Sequence, residues 1–109
     1  MKPETRIKRF LNEIKRKYGI KDKINIRIIK KENKRRHKPL MEIDLNNTPT
    51  IYVNVNNHYI RFEKLGNHLL KNSIAHELIH FLIYKCQKEK DPKKLHKILK
   101  LIDRLIDCR

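Results

Sequence analysis

A chain of 109 residues has room for one domain around one modest core, and a second domain is not expected. Its 28 Lys and Arg against 12 Asp and Glu give a net charge of +16, so the surface attracts anions, acidic peptides and nucleic acid included, without that attraction naming a function. Two cysteines, Cys86 and Cys108, are too few for a secreted disulfide framework, and no apolar run approaches the length of a bilayer span; a soluble, cytoplasmic chain without a leader is expected, with no membrane partner.

Ile7, Phe10, Leu11, Ile14 and Tyr18 fall at helical spacing among Lys and Arg, with Gly19 where a helix would end, so the first element reads as an amphipathic basic helix. Ile24, Ile26 and Ile28 then alternate with polar residues, the period-2 pattern of a half-buried strand. Lys30 to Lys38 is a charge run with nothing apolar to bury and reads as a solvated loop or an extension of two strand ends. Beyond it, Met41, Ile43 and Leu45 alternate, Asn46 to Pro49 make a turn, and Ile51, Val53 and Val55 alternate again, which predicts a strand pair. Asn56 to Gly66 reads only as a connection.

From Asn67 to about Gln87 no Pro or Gly interrupts, and apolar residues occur on every side, which predicts a buried helix. Asp91 and Pro92 mark the cap and first turn of a last helix, whose Leu95, Ile98, Leu99, Ile102, Leu105 and Ile106 point to the core. The predicted fold class is therefore α+β: an N-terminal helix, a small three-stranded sheet, a buried helix and a C-terminal backing helix. High Lys and Ile with no Trp and a single Gln, Gln87, is also the composition of proteins from heat-loving organisms, in which thermolabile amides are depleted.

Within the buried helix, His76, Glu77 and His80 are the only polar side chains between Ile74 and Ile83, and they spell HExxH. Residues four apart share a helical face, so both imidazoles can reach one tetrahedral zinc while Glu77, about 100° round, reaches a zinc-bound water. In an apolar helix such groups cost free energy unless a metal or other partners satisfy them. The residues thus predict a zinc site with His76 and His80 as metal ligands and Glu77 facing the bound water. The competing reading is a pair of histidines satisfied by their surroundings.

The run from Asn72 to Tyr84, NSIAHELIHFLIY, resembles the active-site helix of zincin metallopeptidases. With its short chain and helix, sheet, helix, helix order, the protein resembles the minigluzincins of the selecase type, and the same run is similar to SprT-like proteases, which act near DNA. The likeness covers about 40 residues from Asn67 onward and is architectural over the first 66. It implies a metallopeptidase, with peptide-bond hydrolysis of peptides or unfolded proteins, Zn2+ as cofactor and Glu77 as the catalytic base. It also implies self-association in which one subunit blocks another's cleft, for which Asp107-Cys108-Arg109 is a candidate plug and Arg35 and Arg36 are candidate contacts.

The third ligand is where the chain departs from the pattern. A gluzincin would supply a Glu from the backing helix, and no Glu follows Glu89. His96, at a separation from His80 similar to that in the SprT-like group, is the first candidate and Asp103 the second; an exposed polar position is the alternative for His96. Cys86 stands where a metzincin has its third histidine, but the bending glycine is Ile83 here, and on an unbroken helix Cys86 faces away from His80. His58, Tyr59 and Tyr84 are candidates for steadying the oxyanion. Ile51 to Val55 is expected to be the open sheet edge that takes the substrate as an added strand. A reading of a different class is a nucleic-acid-associated zinc protein, supported by the +16 charge and opposed by basic residues dispersed over both outer helices.

Overall fold

The computed structural model describes residues 3–29, 41–54 and 67–107. The charge run with Arg35 and Arg36, the connection with His58 and Tyr59, and the terminal Cys108 and Arg109 lie outside the described residues. Among the described residues the order is α1 (Pro3–Tyr18), β1 (Asn25–Ile29), β2 (Met41–Asp44), β3 (Thr50–Asn54), α2 (Asn67–Lys88) and α3 (Pro92–Asp107), the α+β layout expected from the pattern.

Helix α1 buries Ile7, Phe10, Leu11 and Tyr18 on one stripe. It stops where Gly19 takes a left-handed φ of 69° and the Ile20 N–H donates to the Lys15 carbonyl at 2.8 Å, which satisfies a C-terminal carbonyl and turns the buried Ile20 back to the core.

The sheet has the order β1-β3-β2, with β1 parallel and β2 antiparallel to β3. Its register sets Ile26 beside Ile51 beside Ile43, and Ile28 beside Val53 beside Met41. Every alternating apolar residue thus falls on one face, which α1 and α2 cover, while Arg27, Tyr52 and Glu42 line up on the other. Ile51 and Val53 in the middle strand are fully buried. The strand expected to be the open edge is therefore the central one. Its parallel pairing with β1, across a non-local connection, is what places it there, and the edges are β1 and β2. In the β2–β3 turn the Asn46 N–H donates to the Asp44 Oδ1 at 2.9 Å and Asn47 adopts φ 55°, a conformation asparagine tolerates.

Helix α2 packs against α1, β2 and α3. Leu70, Ile74, Leu78 and Leu82 form its innermost stripe. The helix is not buried all round, however: His76 and His80 are exposed, and Ile83, on the same side, is 42 % exposed. No described element covers that strip.

Helix α3 begins at Pro92 after Asp91, whose Oδ1 accepts from the Lys93 N–H at 3.0 Å while its carbonyl accepts the first helical bond, from the Leu95 N–H. Asp91→Ala is expected to cost about 1 kcal/mol of unfolding free energy, read from denaturant midpoints at unchanged slope. An unchanged midpoint would mean that the cap contributes nothing. Of the residues expected in the core, Ile98, Ile102 and Leu105 are buried and Leu95 half-buried, whereas Leu99 and Ile106 are 47 % and 50 % exposed. The apolar arc of this helix is wider than what its packing against α2, with Arg104 reaching Tyr18 of α1, covers.

Candidate metal and peptidase site

The expected chemistry sits on one turn of α2. One turn apart, His76 and His80 bring their Nε2 atoms to 3.0 Å, with ring centroids at 4.6 Å and planes at 81°. At that distance either one ring donates its N–H to the other, or both turn lone pairs toward a shared cation. Two nitrogens bound tetrahedrally at about 2.0–2.1 Å stand about 3.3 Å apart, so the pair fits a zinc ion with a small adjustment.

Glu77 points elsewhere. It is 7 % exposed and faces β2, where the Ile43 backbone N–H donates to its carboxylate. Burial raises its pKa above the ordinary 4.5; the neighbouring His80 and the Ile43 N–H pull it back down, and Glu42 on the same strand pushes it up. A carboxylate held in this way can take a proton and return it. The desolvation argument made for all three polar groups from sequence therefore holds for Glu77 alone, because both imidazoles reach solvent.

Ile43 was not found by sequence reasoning. Its contribution is a main-chain N–H, which carries no residue signature. An N–H spent on Glu77 is not spent on β3, so it belongs to the outward side of an edge strand, and the carboxylate stands at the open edge of the sheet.

His96 and Asp103 lie exposed on α3, and among the described residues no group of three or more His, Cys, Asp or Glu is placed to hold a metal. The structure thus brings His76 and His80 together, sets Glu77 against β2 within electrostatic reach of His80, and adds neither third-ligand candidate to them. Cys86 is a free, half-buried thiol packed on the core two turns further along the unbroken helix, in keeping with a packing role. Tyr84 is half-buried one turn beyond His80, with the Lys88 ammonium 4.4 Å from its ring centroid.

Comparison with family models, with curated proteins and with solved structures gave no match. No helix is long and apolar enough to cross a membrane, among the described residues. The functional reading therefore rests on the geometry of this turn.

Proposed function

We propose that the chain is a zinc-dependent endopeptidase acting on extended peptides or unfolded protein. What supports the reading is one observation: two solvent-facing imidazoles at metal-sharing distance, next to a buried carboxylate that a sheet edge holds by a main-chain N–H. A pair of idle histidines gives no reason for the third feature.

Zinc held by His76 and His80 would lower the pKa of a water molecule and polarise the scissile carbonyl. The residues of the chain do the rest. Glu77 takes a proton from the attacking water and returns it to the departing amine. The Ile43 N–H holds the carboxylate in place, and the remaining outward main-chain groups of β2 pair with an extended substrate, a task that falls to β2 because β3 is interior. His96 is the proposed third ligand, with Asp103 second.

Zinc titration by calorimetry tests the ligand set. His80→Ala and His76→Ala are each expected to lose zinc affinity by a factor of at least about 100, and His96→Ala by about as much if it completes the site. Wild-type affinity in either α2 variant would contradict the site; wild-type affinity in His96→Ala alone would move the third ligand elsewhere. Self-association that blocks the cleft is part of the proposal and is read as a fall in specific activity with protein concentration. The +16 charge supports a second reading, a zinc protein acting on nucleic acid or on DNA-bound proteins, which predicts steeply salt-dependent DNA binding.

A further inference from the structure

The last turns of α2, the β2–β3 turn at 45–49 and the Asp22–Lys23 segment enclose an open groove of about 660 Å³. Its charged lining consists of Lys23, Lys85 and Lys88 against Asp22. Asp22 is engaged with Lys85, whose Nζ donates to both carboxylate oxygens at 3.1–3.2 Å. Among the described residues no carboxylate pairs with Lys23 or Lys88, so two cations contributed by chain-distant elements face one groove. Lys88 is also oriented, since its ammonium lies over the Tyr84 ring.

The groove lies in line with the candidate site. Tyr84 and Lys88 follow Glu77 by 7 and 11 residues, which at 100° per residue places all three within about 20° of one line along α2. Along the axis they stand about 10 Å and about 16 Å beyond Glu77. An extended peptide advances about 3.3 Å per residue, so the groove is reached by the third to fifth residue from the bond at Glu77. From Ile43 in β2, beside Glu77, the chain runs on to Leu45 just past the strand's end, in the groove wall, and a strand added antiparallel to β2 would lay its N-terminal side over the lysines.

The geometry points to this groove as a specificity subsite for acidic side chains, Glu or Asp, three to five residues from the cleaved bond and, for a substrate strand added antiparallel to β2, on its N-terminal side. The inference rests on the peptidase reading for its direction and spacing, while the binding of acidic peptide can be measured without turnover. The general surface charge does not account for it, because that charge is spread over the outer helices, whereas here Lys23 and Lys88 face one groove and Lys88 lies in line with Glu77 along α2.

The test uses labelled decapeptides with an apolar central pair and either two Glu or two Gln three to five residues before it. Anisotropy is read at physiological salt on zinc-supplied Glu77→Gln protein, which keeps the peptides intact. The Glu peptide is expected to bind about fivefold more tightly than the Gln peptide. The preference should vanish in Lys23→Glu/Lys88→Glu and persist in Lys97→Glu/Lys100→Glu, which carries the same charge change at exposed α3 positions outside the groove. Equal binding of the two peptides, or equal loss in both double variants, would overturn the inference. Displacement of the peptide by a single-stranded oligonucleotide at lower concentration than by unlabelled Glu peptide would also overturn it and assign the groove to nucleic acid. Wild-type turnover of the same peptides reports separately: a groove preference without cleavage counts against the peptidase reading and not against the groove.

Discussion

Glu77→Gln is expected to lower peptide hydrolysis by a factor of about 10² to 10⁴ while leaving zinc stoichiometry unchanged. The amide keeps an oxygen that can accept from the Ile43 N–H and nearly the same volume, so packing against β2 survives and only the proton acceptor is lost. In metal-free protein the same variant should act in the opposite direction on stability. Burial raises the Glu77 pKa above 4.5 in the folded state, so the native chain holds this proton more tightly than the unfolded one. The stability that follows is fully present below the unfolded pKa and is lost as pH rises through the folded value. Wild type therefore loses ground to Glu77→Gln across that window. The variant should melt at higher temperature at neutral pH, with the gap closing as pH falls below 4.5. A variant that is less stable at neutral pH would mean that the charged carboxylate is favoured where it sits, and the assignment of burial as the dominant influence would fail.

The second large effect is expected in the core. Leu78 follows Glu77, is fully buried and points to the inside of α2. Leu78→Ala should cost about 2–5 kcal/mol, from the lost transfer of the side chain and the cavity left behind. That is a large share of the roughly 5–15 kcal/mol typical of a whole domain, so much of the variant should be unfolded on mild heating. Ile83, five residues on and 42 % exposed, provides the contrast: Ile83→Ala is expected to stay within about 1 kcal/mol of wild type. Denaturant midpoints of the two variants read which side of the helix faces in. Equal losses would show that the strip carrying the two histidines is covered and not open.

Much of this was legible in the chain because local periodicity and burial agree. The alternation at Ile26/Ile28, Met41/Ile43 and Ile51/Val53 marked three strands, and the observed register explains why each alternates: all six residues share one face of the sheet. Gly19, Asp91 and Pro92 marked helix ends because each performs a task few residues can. Strand order was not legible. Period-2 patterning tells which side of a strand is inside and nothing about its neighbours, and a hairpin-like turn at Asn46–Pro49 gave no hint that β1 would pair on the far side of β3. The exposure of Leu99 and Ile106 was missed for a related reason: apolar spacing gives the arc a helix could bury, and the neighbouring elements decide how much of it they cover. For the site, the side chains of His76, Glu77 and His80 were legible because their chemistry fixes their spacing. The support that Ile43 gives Glu77 was not, because every residue but proline offers the same N–H. Whether His96 or Asp103 could join the histidine pair depends on how α3 lies against α2, a tertiary relation that neither residue encodes locally.

The central claim is that zinc on this turn of α2 makes a peptidase, and hydrolysis of casein as a function of zinc bound tests it most directly. Wild-type protein stripped by a chelator and reloaded stepwise should gain activity in proportion to bound zinc up to one ion per chain, with Glu77→Gln binding the same zinc and remaining inactive. Zinc bound at one per chain with no hydrolysis at any dilution, in wild type and variant alike, would contradict it.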